Sequence, residues 1–308
     1  MQLGITFRKK GIKALKYSEK VTADISGARF RIILSMVIFG TIGIFRRLIP
    51  LPSGVIAMMR GLTGSIFLAL VMAARGIRPE TAAVRAKLLL LCASGCMMGF
   101  NWIFLFEAYN YTSVAAATVC YYMAPVFVLI ASPFILHESM TRRQMLCVPA
   151  AVLGIVLVSG IIETGIAGVS ELRGILLGLA AALLYACVIL CNKHLGSVPV
   201  FEKTVLQLFS AGVILIPYVL LAERTAPKSI TPVSALFLAI VCVVHTGIAY
   251  LLYFGSVSQL KAHTVALLSY IDPVVAVLLS AVLLREKLDI TGIIGAVLVI
   301  GAAVLSEL

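Results

Sequence analysis

Residues 99–139 read GFNWIFLFEAYNYTSVAAATVCYYMAPVFVLIASPFILHES, and residues 247–287 read GIAYLLYFGSVSQLKAHTVALLSYIDPVVAVLLSAVLLREK. The second stretch lies on the first at an offset of about 148 residues, with no gap. Gly99 falls on Gly247, Phe106 on Phe254, Tyr122 on Tyr270, Pro125 on Pro273, Val126 on Val274, Ser132 on Ser280, Leu136 on Leu284 and Glu138 on Glu286. In both copies a proline stands thirteen positions before a glutamate inside near-continuous apolar sequence. That coincidence marks a duplicated unit. A duplicated membrane bundle places its working site where the halves meet.

Composition agrees. Of 308 residues, 61% are hydrophobic and 12% charged, with a mean hydropathy of +1.10. A soluble domain carries about twice that share of charge. Apolar runs of about 20 residues recur, each long enough to cross a hydrocarbon core of ~30 Å as a helix. Barrel strands alternate polar and apolar residues, and these runs do not. The expected fold is an all-α membrane protein. Its spans read as 30–45, 54–74, 87–107, 112–136, 144–162, 174–192, 204–222, 233–254, 263–284 and 289–306. These ten form two five-helix repeats, residues 30–162 and 174–306, after a basic tail, residues 1–29. An odd number of spans per repeat inserts the halves in opposite orientations.

With the N-terminus inside, seventeen Lys and Arg fall on the cytoplasmic side and seven outside. That bias predicts a plasma-membrane protein with both termini cytoplasmic. Most of the margin comes from the tail, through Arg8, Lys9, Lys10, Lys13, Lys16, Lys20 and Arg29. Phe7, Ile12 and Leu15 lie among these charges. The tail therefore reads either as a short interfacial helix on anionic lipid or as an unstructured topogenic segment. The apolar run that follows is too long for a cleaved secretory signal. The net charge of +12 then serves orientation and lipid contact, and no nucleic-acid partner is expected.

The seven cysteines, Cys92, Cys96, Cys120, Cys147, Cys187, Cys191 and Cys242, all fall inside spans. Cys92/Cys96 and Cys187/Cys191 are i,i+4 pairs that share a helix face. A soft-metal site is conceivable, but reduced small-residue packing is the simpler reading. No metal or cofactor is expected. Neither a P-loop nor an HExxH or GxSxG motif occurs, so no catalytic residue is assigned.

The residues YTSVAAATVCYYMAPVFVLIASPFILHESMT, and LKAHTVALLSYIDPVVAVLLSAVLLREKLD in the second half, resemble the end of an EamA repeat. That repeat is the five-helix unit of ten-helix permeases of the drug/metabolite transporter superfamily. Its marks are an Ala/Ser-rich helix start, an apolar segment centred on Pro-Val and a glutamate closing the fourth helix. They stand here at Pro125-Val126 with Glu138 and at Pro273-Val274 with Glu286. The Arg60-Gly-Leu stretch resembles the arginine that often opens the family's second helix, and the second half shows Thr204-Val-Leu-Gln207 there. The resemblance implies a permease for a small organic solute; members move amino acids, amines, nucleobases and drugs. An integral-membrane enzyme acting on lipid-linked substrates, or a lipid flippase or scaffold built on the same bundle, is the alternative reading. Solute flux, lipid scrambling and turnover in liposomes separate the three.

Asp272 is the most informative residue. It sits some ten residues into the ninth span with no charge near it in sequence. An ionisable group there is costly unless paired, protonated or hydrated. Its repeat mate is Ala124, so duplication does not explain it. An acid before the second-half proline is also frequent in the family the chain resembles. Asp272 reads as a substrate or coupling-proton site, or as a carboxylate satisfied by a helix N-terminus or by Arg60. Pro125 and Pro273 each remove a helix hydrogen bond and read as packed kinks or as hinges. Glu107 reads as a boundary residue. Glu138 and Glu286 read as structural, accepting backbone N–H groups of the helix that follows each, and Arg60 reads as structural too. His245 and His263 remain unassigned.

Trp102 maps onto Tyr250 and Tyr122 onto Tyr270, with Asn101 and Tyr121 beside them. Aromatic faces converging on one carboxylate suit an amine-bearing metabolite or amino acid; interfacial belts and core packing are the competing reading. Tyr270 and Asp272 stand two apart, roughly 200° around an ideal helix. Both face one ligand only if Pro273 bends the helix or the cavity is central. The sequence leaves substrate, direction and oligomeric state open.

Overall fold

A computed structural model describes residues 25–135, 137, 141–158, 169–223, 231–257, 259–260, 265, 268–286 and 289–307. The basic tail before Ile25, Glu138 and His263 lie outside the described residues. Within them the chain is helical and has no strand. In chain order the principal helices are α1 (Ile25–Leu48), α2 (Ser53–Ala74), α3 (Leu88–Tyr111), α4 (Val114–Ile135), α5 (Arg142–Val158), α6 (Ser170–His194), α7 (Val200–Ala222), α8 (Pro232–Ser256), α9 (Ile271–Leu283) and α10 (Ile290–Glu307). Among the described residues, seven of these (α1 to α4 and α6 to α8) are long and apolar enough to cross a membrane. The other three are shorter.

The expected first span, 30–45, grows at both ends, because α1 already includes Ile25 and continues to Leu48. Arg46 and Arg47 do not stop it. They occupy its last turn, where cations complement the free carbonyls. Starts elsewhere follow ordinary capping chemistry. Ser113 Oγ accepts from Ala116 N at 3.0 Å at the head of α4. Thr231 Oγ1 does the same for Ser234 N at 3.2 Å, with Pro232 in the first turn of α8.

Lipid tails are as apolar as leucine, so tight packing and hydrogen bonds hold such helices together. α3 lies between α6 and α7, α2 packs on α7, and α5 packs on α10. Glycines permit the closest crossings. A Cβ on Gly61 would stand 2.8 Å from Gly212 N, and one on Gly154 would stand 2.7 Å from Gly295 O. Hydrogen bonds add specificity: Asn101 Nδ2 donates to Ala181 O at 2.5 Å, and Gln207 Nε2 to Ser94 Oγ at 2.6 Å and Asn192 Oδ1 at 2.8 Å. Phe134, Val282 and Ile290 lie exposed on the outer surface, as lipid-facing residues do.

Four interruptions shape the interior. α1 has a turn at Thr41, α4 has one at Tyr122–Met123, and α9 starts after a turn at Tyr270. α8 widens into a π-helical stretch, Val243–Ile248.

Candidate functional site

The prolines sit differently from the sequence expectation. Pro125 is the second residue of the helical segment Ala124–Ile135, and Pro273 the third of α9. They occupy first turns of helices that have just restarted, where the missing N–H has no intrahelical partner to lose. The chain breaks before each proline, at Tyr122–Met123 and at Tyr270. These repeat mates face each other: the rings of Tyr122 and Tyr270 lie 6.2 Å apart, and α4 packs against α9.

Asp272 stands in the first turn of α9. Its partner is Tyr122, whose Oη donates to Asp272 Oδ2 at 2.6 Å from the other half of the chain. It makes no ion pair with Arg60: among the described residues the one ion pair joins Arg47 to Glu286. Asp272, Tyr121 and Tyr122 are all half-buried. Tyr121 meets Tyr122 edge to face at 6.0 Å and stacks on Tyr185 at 5.3 Å. Tyr185 keeps 39% of its surface exposed in the middle of α6. The outward stripe of that helix runs through Leu172, Leu176 and Leu183, and Tyr185 points roughly 200° away from Leu183. Its free face therefore points away from that stripe. The sequence reading missed Tyr185, although a tyrosine amid the Ala-Leu sequence of α6 was a visible signal.

A second polar group lies on α2, α3 and α8. Arg60 is buried; its guanidinium covers the Trp102 ring at 4.1 Å and lies 5.4 Å from Phe106. Its Nε donates to Thr246 Oγ1 at 3.1 Å. Thr246 belongs to the π-helical stretch and donates in turn to Val241 O at 3.1 Å, five residues back. A π-turn in an α-helix frequently accompanies a functional site. Beside it, a ring nitrogen of His245 meets Thr41 Oγ1 at 2.8 Å, tying the π-turn to the break in α1.

The structure thus divides the aromatic set inferred from the sequence. Tyr121, Tyr122 and Tyr270 gather at Asp272. Trp102 does not join them, because its face already holds a cation. Asn101 is buried, and its amide is committed to Ala181 O. Tyr250 stacks on Phe254 at 5.5 Å and meets Phe39 at 5.4 Å.

Three glutamates have hydrogen-bond partners that show what they hold. Glu286 Oε1 accepts from Val114 N at 3.0 Å and Oε2 from Ala115 N at 3.4 Å. It serves the start of α4, not the helix that follows it. Glu223, unremarked in the sequence, caps α2 through Gly54 N at 2.8 Å and Val55 N at 3.0 Å. Glu107 Oε2 accepts from Ser53 Oγ at 2.8 Å and Asn110 Nδ2 at 3.1 Å, beside Arg46, which donates to Ser53 Oγ at 2.9 Å. No group of three or more His, Cys, Asp or Glu with metal-binding geometry occurs among the described residues.

A model of the EamA-like transporter family matches the chain twice, over residues 28–160 and 172–308. The chain is 31% identical over 286 residues to an uncharacterised transporter, YxxF, of Bacillus subtilis (strain 168), covering 91% of this chain and 89% of that protein. An uncharacterised transporter of Archaeoglobus fulgidus is 25% identical, covering 89% of this chain and 94% of its own. A solved crystal structure superposes with a TM-score of 0.60 at 17% identity, over 91% of this chain and 96% of that one, a likeness of fold.

Proposed function

The chain belongs to the EamA-like transporter family, and we propose that it is a secondary permease for a small amine-bearing metabolite or amino acid, working by alternating access. Asp272 carries the reading: a half-buried ionisable side chain inside an apolar bundle, whose hydrogen-bond partner among the described residues is the neutral Tyr122 hydroxyl of the other half. It would bind the substrate's ammonium or carry a coupling proton. The aromatic rings of Tyr121, Tyr122, Tyr185 and Tyr270 would flank that ammonium.

The proposed architecture is two inverted five-helix repeats in the plasma membrane with both termini cytoplasmic. Two observations support its two-repeat part. The family model matches once per half, and the packing pattern survives exchange of α1–α5 with α6–α10: α3 on α6 becomes α8 on α1, α3 on α7 becomes α8 on α2, and the pairs α2·α7, α4·α9 and α5·α10 exchange with themselves. Pro125 and Pro273, placed at restarted helices, would serve as hinge points for rocking one half against the other.

Flux in proteoliposomes tests this. Amines or amino acids should be taken up or compete for uptake. Asp272→Asn should abolish or uncouple the flux while the protein stays folded and inserted. Unchanged flux in that variant would remove Asp272 from the mechanism.

A further inference from the structure

Glu202 is a buried carboxylate that the protein leaves unanswered. It stands in the first turn of α7 with only 6% of its surface exposed. Its Oε2 is enclosed and has no hydrogen-bond partner, and among the described residues Glu202 makes no ion pair. A buried carboxylate is costly until a donor reaches it. The room for one adjoins it: Glu202 lines a cavity of about 460 Å³ between the end of α2 and the start of α7. Arg85, on the short helix Thr81–Ala86, lines the same cavity, and among the described residues it pairs with no carboxylate. One cavity thus presents an anion and a cation that do not pair with each other. Ala69 and Met72 of α2 and Val205 and Leu206 of α7 continue its wall away from the helix ends. Beside that wall, Leu70 and Phe209 lie exposed on the outer surface.

The start of α2, the corresponding helix of the first half, is finished differently. Pro52 and Pro199 are the N-caps of α2 and α7, and Arg75 and Glu223 their C-caps. Glu223 reaches over the start of α2 and accepts from Gly54 N and Val55 N. Tyr218 closes the space above Gly54, where a Cβ would stand 2.9 Å from the ring. At the start of α7 the residue in the place of Glu223 is Arg75, an exposed cation with no acceptor to offer. There α7 carries a carboxylate of its own, and the space beside it stays open as the cavity. The two ends differ by one feature, a built and empty space around a buried charge.

The chemistry of the occupant follows from these groups. A buried carboxylate is answered best by a charged N–H donor, a guanidinium by a phosphate, and an apolar wall by hydrocarbon. A cavity among lipid-facing side chains is filled from the bilayer. We propose that this cavity binds one molecule of phosphatidylethanolamine, with its ammonium on Glu202, its phosphate on Arg85 and an acyl chain along Met72 and Leu206. Phosphatidylcholine has the same two charges but no N–H to give. The lipid is a resident clamp between the end of α2 and the start of α7, not cargo. The site does not rest on the permease reading of Asp272.

The experiment titrates the full chain in detergent with short-chain phosphatidylethanolamine, phosphatidylcholine and phosphatidylglycerol of identical acyl chains, and with glycerophosphoethanolamine, the free headgroup. Binding is read as bound lipid by native mass spectrometry and as thermal stabilisation. Phosphatidylethanolamine should bind at least ~10-fold more tightly than either other lipid, since each lacks the charged N–H donor. The free headgroup should bind more weakly than the lipid, having no chain for the apolar wall. Glu202→Gln should erase the preference over phosphatidylcholine. Arg85→Gln should weaken all three lipids and keep that preference. Ala69→Phe narrows the cavity without touching either charge; it should weaken phosphatidylethanolamine at least ~10-fold and decides the matter if Glu202→Gln fails to fold. Asp272→Asn should leave every lipid affinity unchanged, so the lipid site and the transport reading fail separately. Equal binding of phosphatidylcholine or phosphatidylglycerol, or a preference that survives Glu202→Gln, overturns the proposal. A free headgroup that binds as tightly as the lipid, or wild-type lipid affinity in Ala69→Phe, overturns it as well.

Discussion

Helix α9 has a carboxylate at each end, and the two are used in opposite ways. Glu286, just past its C-terminal end, accepts two backbone N–H groups of α4 and pairs with Arg47 at 3.4 Å. Asp272, in its first turn, has among the described residues one hydrogen-bond partner, the neutral Tyr122 hydroxyl at 2.6 Å. One carboxylate is saturated by groups that do not leave; the other, half-buried, keeps most of its capacity free among the described residues. Partner number, more than burial, separates the carboxylate that holds the fold from the one available to a solute. Arg46 and Arg60 repeat the lesson. Arg46 is tied to Ile49 O at 3.3 Å and Ser53 Oγ at 2.9 Å, whereas among the described residues Arg60 is bonded through Nε alone.

The sharpest way to break this comparison is Asp272→Asn against Glu286→Gln in the same flux assay. A hydrogen bond to a charged group is worth about 1.5–3 kcal/mol. Losing the Asp272 charge should therefore lower transport roughly 10- to 150-fold, with little change in melting temperature. Equal losses in both variants would show that α9 works as a rigid unit and that partner number carries no information.

Tyr122→Phe should come next. It removes the donor to Asp272 and keeps the ring beside Tyr270. A neutral hydrogen bond nets about 0.5–1.5 kcal/mol, so half-saturation for the proposed amine or amino-acid solute should shift by up to roughly 10-fold. A loss as large as that of Asp272→Asn would mean the hydroxyl itself contacts the solute or its proton.

Much of this contrast was legible in the sequence. The repeat aligned Tyr122 with Tyr270, and an acid inside an apolar run singled out Asp272. What stayed hidden depended on three-dimensional partners. Nothing local in sequence couples Arg60 to the face of Trp102, 42 residues on, or Glu286 to the amides of Val114 and Ala115. The prolines pointed to kinks, but the chain turns before them because proline fits a helix's first turn better than its middle. Tyr185 passed unnoticed because apolar periodicity says which face of α6 meets lipid and not which part of the other face is left open.

Glu286→Gln should act on stability and spare transport. Capping interactions contribute about 0.5–2 kcal/mol, and the amide can still accept one N–H. A loss near ~1 kcal/mol corresponds to about 2–4 °C in melting temperature for a chain of this order of size. Half-saturation for the transported solute should stay within about twofold of wild type. A melting temperature unchanged within error would show that α4 does not need this cap.

Arg47→Gln should have the smallest effect, and it decides what Glu286 is for. The ion pair spans 3.4 Å, and the Arg47 side chain is 38% exposed. Exposed pairs contribute about 0.2–1 kcal/mol and weaken as salt rises. Arg47 also donates to Thr112 O at 2.9 Å, a bond that glutamine can in part replace. If Glu286 is held chiefly by the amides of Val114 and Ala115, Arg47→Gln should lower the melting temperature by less than Glu286→Gln. The difference from wild type should shrink further at high ionic strength. A drop as large as that of Glu286→Gln, and equally salt-sensitive, would make the carboxylate one half of a surface ion pair, and the contrast with Asp272 would then lie in charge pairing rather than in backbone capture.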